Sequence, residues 1–200
     1  MSLLPITLDG RLARLEPLAP AHAEELALAV QDGELWKLWY TRVPKPEEMM
    51  AEIERRLSLR ERGSMLPFVI RGKDRGALCG MTTYMNIDAD NNRLEIGSTW
   101  YAKSAQRSGI NTECKFLLLR HAFEDLQCIA VEFRTHHLNR QSRAAIERIG
   151  AKLDGVLRNH TRMPDGTLRD TVVYSIIDSE WNTVKRHLQH LMDASDRPIC

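Results

Sequence analysis

The sequence predicts an α/β (α+β) fold, a mixed and mostly antiparallel twisted sheet with helices on both faces. Three observations carry that reading. Three strand-like runs, Leu66 to Arg71, Ala77 to Ile87 and Arg93 to Tyr101, are joined by short polar turns, the mark of an antiparallel meander. A helix-spaced stretch from Ser108 to Leu126 then separates the third run from a fourth, Ile129 to Thr135. A strand, helix, strand passage of this kind needs a crossover that leaves its two strands parallel. Finally, 200 residues at 43% hydrophobic and 28% charged composition suffice for one domain with a real core.

The elements follow in order. Ile6 to Leu18 alternates around Asp9-Gly10, which predicts a hairpin or a bent first strand. A helix begins near Pro20, carries Leu26 and Val30 on one side and stops at Asp32-Gly33. A second runs from Pro46 to Gly63 with Met49 or Met50, Ile53 and Leu57 inward, and Arg55, Arg56 and Arg60 outward as a solvated face. Between them lies a proline-bounded irregular segment holding Trp36, Trp39 and Tyr40, which either packs under the loop or lines a pocket. After the meander and the crossover helix, whose Phe116, Leu119, Phe123 and Leu126 share a face, come the fourth strand and a short helix from Arg140 to Ile149 ended by Gly150. Two last strands, around Asp154 to His160 and Leu168 to Ile177, flank a Pro164-Asp165-Gly166 turn. Residues 1–178 therefore form a single domain. Residues 179–200 add an amphipathic helix bearing Trp181, Val184, Leu188 and Leu191 and then a polar tail.

Composition excludes several classes of function. With 28 basic and 27 acidic residues and a net charge of +1, the chain lacks the basic excess of a bulk nucleic-acid binder. No window approaches the roughly 18 apolar residues of a membrane span, and the start has no basic, apolar leader, so a soluble, cytoplasmic protein is expected. Cys79, Cys114, Cys128 and Cys200 show neither disulfide nor zinc spacing and read as free thiols, with no metal site.

The chemistry concentrates between Glu95 and Glu113, where a strand enters a glycine-bearing turn and then a helix. First-turn amides lack intrahelical acceptors and sit at the positive end of the helix dipole, so the turn either cradles a phosphate or opens an ordinary surface helix. Neither G-x-x-x-x-G-K-[ST] nor G-x-G-x-x-G occurs, which removes the ATP and dinucleotide fingerprints.

Three stretches in order, Q-R-S-G-I-N at Gln106 to Asn111, H-L-N-R-Q-S-R-A-A-I-E-R-I-G-A at His137 to Ala151, and D-G-V-L-R-N-H at Asp154 to His160, resemble the GNAT superfamily of N-acetyltransferases. Within it they resemble the ribosomal-protein-acetyltransferase (RimJ/RimL-like) group. The likeness runs to about Trp181 through the closing L-R-D-T-V-V-Y-S-I-I-D-S-E-W. One position departs from the [QR]-x-x-G-x-[GA] signature, whose last small residue is Asn111 here. The resemblance implies a GNAT-like sheet with a splayed parallel strand pair at the cofactor site and acetyl-CoA as cosubstrate. The pyrophosphate would rest on Gln106, Arg107, Ser108, Gly109, Ile110 and Asn111, and the pantetheine arm on Trp100, Tyr101 and Ala102. Asn139 and Ser142 match the group's N-x-x-S, Asn139 toward the cofactor arm and Ser142 near the sulfur as an acid or relay. As plain sequence, Asn139 could equally cap the following helix.

An amine must lose a proton before it can attack a thioester, and a carboxylate or an ordered water can take it. Glu95 is the candidate base: it shares a strand face with Gly97 and Thr99 and resembles the family's strand glutamate, although a salt-bridged strand residue would read alike. His136 and His137 rank behind it, since adjacent strand residues face opposite ways. Cys114 reads as packing. The acceptor is a small-molecule or peptide amine, with Trp36, Trp39, Tyr40 and Tyr84 as pocket residues and the 159–167 hairpin opposite. Two other readings remain: a non-catalytic acyl-CoA-binding module, and a terminal helix that makes a homodimer.

Overall fold

Asp9-Gly10 turns the chain as its composition predicts: β1 (Leu8–Asp9) pairs antiparallel with β2 (Ala13–Pro17), Asp9 opposite Arg14. The computed structural model describes residues 4–195, so Cys200 and the end of the polar tail lie outside the described residues. Pro20 opens a 3-10 turn that runs into α1 (Ala23–Gln31), which buries Ala23, Leu26 and Val30. After a second proline-led turn, α2 (Met49–Glu61) buries Met49 and Ile53.

Here one expectation fails. Arg55 is exposed, but Arg56 is only 2% exposed, donating from Nε to Glu52 (2.7 Å) and from Nη1 to the Thr83 hydroxyl (2.7 Å). It stands on the buried stripe that Met49 and Ile53 begin, and its charge is held there because it is paired and hydrogen-bonded.

The meander is β3 (Met65–Gly72), β4 (Leu78–Asp88) and β5 (Arg93–Tyr101). Then come α3 (Ile110–Arg120), which closes in a π-helical turn over His121–Asp125, β6 (Ala130–His136) and α4 (Arg140–Arg148). The chain ends in β7 (Lys152–Arg162), β8 (Leu168–Ile177) and α5 (Asp178–Ser195). Eight strands lie in the order β1-β2-β3-β4-β5-β6-β8-β7, and β5 with β6 is the parallel pair among the described residues. Helices α1 and α2 cover one face around Val69, Met81 and Trp100. Helices α3 and α5 cover the other around Phe68, Ile96, Phe133 and Tyr174, where Trp181, Val184 and Leu188 are buried in the chain's own core. Among the described residues no helix is long and apolar enough to cross a membrane.

Two features of β5 position the site. Parallel pairing runs only through Arg93↔Ala130, Leu94↔Val131 and Glu95↔Glu132, after which β5 and β6 part. On its other side, the register with β4 slips between Thr83↔Gly97 and Met81↔Trp100, a bulge at Ser98 and Thr99. Ser98 takes the left-handed region there (φ 47°), and its carbonyl accepts from both terminal nitrogens of the buried Arg56 (3.4 Å each). A bulge bends its strand. This one lies where the two strands part.

Candidate active site

The parted strands leave a cleft of about 730 Å³ that runs through the sheet from one face to the other. Register fixes which residues face which way. Glu95 lies opposite Met85 on β4 and Glu132 on β6, so Glu95, Glu132, Arg134 and His136 share the α1/α2 face, and His136 lies opposite Thr171 on β8. Leu94, Ile96 and Phe133 face α3.

On the α3 side the cleft begins at the turn into that helix. Gly109 is the N-cap at φ 83°, a left-handed conformation that glycine adopts without steric cost, and no side chain caps the helix. The amide of Glu113 is the first to find a carbonyl, that of Gly109 (3.1 Å), so the preceding first-turn amides are free for a ligand. Gln106 ties this turn to the end of β5 by donating to the Tyr101 carbonyl (3.1 Å) and accepts from Gln141 on α4 (3.3 Å). Trp100, Tyr101, Gln106, Arg107, Gly109 and Asn111 line the cleft. Ala102, Ser108 and Ile110 do not: Ile110 turns into the core and the Ser108 hydroxyl donates to the Ala105 carbonyl (2.5 Å). Backbone is all these three can offer. The turn, its open amides and the unpaired edge of β5 together suit a pyrophosphate carrying an extended arm.

Asn139 and Ser142 also line the cleft. Asn139 does cap α4, its Oδ1 accepting from the Ser142 amide (3.0 Å), which leaves its amide nitrogen free toward the cleft. The Ser142 hydroxyl has no protein partner among the described residues.

Glu95 is 4% exposed. Burial raises its pKa, opposed by a hydrogen bond from Asn86 (2.6 Å) and by Arg134, whose Nε is 3.5 Å away. Its other oxygen reaches beside Gly97, where a Cβ would lie 2.7 Å from it, so Gly97 keeps that oxygen's space open at the cleft wall. His136 faces the cleft and His137 is exposed, as alternation requires. His136 Nδ1 accepts from the Leu138 amide (3.0 Å), which places the ring proton on Nε2, a buried donor without a partner among the described residues. Cys114 is buried with its thiol pushed up to about 12 by burial, a packing residue.

The aromatic pocket divides. Tyr40 lines the cleft, and Trp39, 53% exposed, stands at its rim with its ring 5.2 Å from that of His136. Trp36 does not belong to it; it lies in a shallow groove with Gln31, Lys45 and Pro46 and packs on the α1/α2 core. Tyr84 is a fully buried core residue whose hydroxyl donates to the Leu118 carbonyl (2.5 Å). It points to the α3 face, away from the Glu95 side. The 159–167 hairpin lends no lining residue, although Arg169 beyond it does.

Three groups escaped the sequence reading. Lys115 on α3 is buried, lines the cleft and donates to Thr99 Oγ1 (3.2 Å), with burial pulling its pKa down to about 8. Arg134 and Arg169 line the opposite mouth. For Arg134 a signal existed, since Glu132, Arg134 and His136 recur at period two beside Glu95 once the parallel register is known.

A family model described as the acetyltransferase (GNAT) domain matches residues 13–152. A Bacillus subtilis (strain 168) protein named "Putative ribosomal N-acetyltransferase YdaF" is 37% identical over 110 residues, 55% of this chain and 59% of that protein. The match thus spans less than two thirds of that relative's length. A solved structure from T. thermophilus, described as a "putative acetyltransferase", is 36% identical with a TM-score of 0.82, covering 96% of this chain and 99% of that one. A GCN5-related N-acetyltransferase from Brucella melitensis is 29% identical with a TM-score of 0.85, covering 95% of this chain and 86% of its own. A domain match across most of the chain, on a sheet parted at the expected strand pair, establishes that the chain belongs to the GNAT acetyltransferase family.

Proposed function

We propose that this protein is an acetyl-CoA-dependent N-acetyltransferase that moves an acetyl group to a primary amine by direct attack in a ternary complex. One observation carries the reading. The cleft between β5 and β6 joins the open amides of α3 on one face to Gly97 on the other, and the Glu95 carboxylate lies directly behind Gly97.

Acetyl-CoA supplies an activated thioester. The chain's own residues do the rest. Arg107 and the amides from Arg107 to Asn111 hold the phosphates, and the β5 edge from Trp100 to Ala102 pairs with the extended arm. Asn139 donates to that arm with the nitrogen its helix cap leaves free. On the other face the acceptor enters past Trp39 and Tyr40 as a cation and must lose a proton. Glu95 takes it. Its carboxylate stands behind Gly97 at the wall of the cleft, so a single ordered water relays the proton to it. The raised pKa suits the task, because a base nearer the working pH holds the proton better. Ser142 is the proton donor to the departing sulfur.

The test is thiol release from acetyl-CoA over a panel of amines with the parent and Glu95→Gln. Loss of a general base lowers kcat by about 10²- to 10⁴-fold, with binding of acetyl-CoA retained. A parent that binds acetyl-CoA and acetylates no amine on the panel is a binding module, and the proposal fails.

A further inference from the structure

We infer that the acceptor carries a carboxylate close to its amine, which Arg169 and His136 bind at the α1/α2 mouth of the cleft; this rests on the acetyl-transfer reading above. Among the described residues the basic side chains lining the cleft, histidine aside, are Arg107, Lys115, Arg134, Arg148 and Arg169, and no aspartate or glutamate lines it. They fall into two groups. Arg107, Lys115 and Arg148 lie on the α3 side, Arg148 donating to Thr112 in that helix's first turn (2.9 Å). Arg134 and Arg169 lie on the other.

At that second mouth the account of partners does not close. Arg134 is satisfied by Glu132 (2.8 Å) and Glu95 (3.5 Å). Arg169 is half-buried, and its Nε donates to Thr171 Oγ1 (3.0 Å). No carboxylate lies within salt-bridge distance of it, and its two terminal nitrogens donate to nothing among the described residues. Its neighbour Arg42 adds to the positive field, which Glu95, beyond salt-bridge distance, offsets only in part. His136 is 5% exposed, with Nδ1 occupied by the Leu138 amide and Nε2 buried without a partner. A buried N–H that finds no acceptor in the protein is rare and calls for one from outside. Arg169 and His136 feel each other's charge, and Thr171 beside Arg169 lies directly opposite His136 across the β6–β8 pair. The mouth therefore presents a planar fork and a ring N–H with nothing to receive them.

A carboxylate satisfies both: it takes the two terminal nitrogens of Arg169 side by side and leaves a lone pair for His136 Nε2. Glu95 meanwhile lies behind Gly97 and takes the amine's proton through the relaying water. The arrangement selects a zwitterion, with amine toward the carboxylate and anion toward the arginine. Polyamines and aminoglycosides would set a second cation against Arg169 and Arg134. The carboxylate has two sources, a free α-amino acid or an acidic side chain near the N-terminus of a peptide.

The experiment compares kcat/KM in thiol release for free amino acids against their amides, for short peptides with Glu or Gln near the N-terminus, and for spermidine. The free-acid arm and the peptide arm identify the source. Either carboxylate acceptor is expected to exceed its amide counterpart at least tenfold, and Arg169→Gln should remove that preference by raising the acceptor KM while the KM for acetyl-CoA stays put. Arg169→Lys, a charge without the fork, should fall between them. Titration calorimetry of the protein with coenzyme A against N-acetylglutamate, N-acetylglutamyl-glycine and their amides reads the same mouth without turnover. Binding of an acid there that is lost in Arg169→Gln upholds the anion site even if no amine is acetylated, in which case the transfer reading alone has failed. Spermidine as the best acceptor, a carboxylate preference that survives Arg169→Gln, or no acid bound in either assay would overturn the inference.

Discussion

Arg56 tests whether the open end of the cleft is held from behind. Its guanidinium bridges α2 to the bulge on β5, giving Nη1 to Thr83 Oγ1 (2.7 Å) and both terminal nitrogens to the Ser98 carbonyl (3.4 Å each). Arg56→Met keeps most of the stem's volume and deletes these contacts. Glu52 is not stranded by the change, because Arg55 still binds it at 2.7 and 2.9 Å. Thr83 Oγ1 is. An orphaned buried polar group costs about 1–3 kcal/mol, whereas Ser98 is exposed and water can replace its long contacts, so the loss is about 1–3 kcal/mol. Arg56→Ala adds a cavity and roughly 2 kcal/mol more. In a protein of this size each kcal/mol lowers Tm by about 2–4 °C, so Arg56→Met should melt about 2–12 °C below the parent. Urea denaturation measures the free-energy difference, and the KM for acetyl-CoA, expected to rise as the bulge relaxes, measures the coupling to the cleft. An Arg56→Met protein within about 0.5 kcal/mol of the parent, with its KM unchanged, would mean that strand pairing alone holds the bulge.

Burial places the Glu95 pKa above that of an ordinary carboxylate, so the acid limb of kcat/KM should lie above pH 4.5, falling tenfold per unit below it. Asn86→Ala removes the hydrogen bond that favours the charged form and should move this limb to still higher pH; a limb that stays in place excludes Glu95 as the titrating base. Lys115 titrates near 8 in the folded protein and near 10.5 unfolded, so between those values the unfolded chain binds more protons and this group's contribution to stability grows as pH rises. Denaturation at pH 7 and pH 10 should accordingly show Lys115→Met gaining on the parent most at pH 7, by an amount on the order of 3 kcal/mol, and an advantage independent of pH would refute it. Glu113 accepts the amides of Arg11 (2.8 Å), Leu12 (2.7 Å) and Ala13 (2.8 Å). Glutamine must set its NH₂ against at least one of these donors, so Glu113→Gln should cost about 2 kcal/mol, read as a lower urea midpoint.

Elements whose burial follows one period were legible in the chain. Leu26 and Val30 on α1, the alternation through β3 to β5, and the crossover that makes β5 and β6 parallel all show in the sequence because one repeating face meets one core. The misreadings share a cause. Arg56 sits on the buried stripe of α2, but a rule that sends arginine outward hides it, since its partners Thr83 and Ser98 lie 27 and 42 residues away. In α3 nearly every position is buried, so Glu113 and Lys115 interrupt no pattern that would mark them as partnered. Alternation on β4 says that two faces exist without saying which faces the acceptor, so the sequence offers Tyr84 to the pocket; the register Tyr84↔Ile96 sends it to the core, because Ile96 faces α3. The parting of β5 from β6 is of the same kind. Parallel pairing is a property of the two strands, whereas its end after Glu95 depends on a serine at φ 47° whose carbonyl is held by an arginine from another helix. Nothing local to Gly97, Ser98 and Thr99 marks a bulge. A cleft made by where two strands stop pairing is thus fixed by a third element, and its mouth becomes readable only when the residues facing that third element are known.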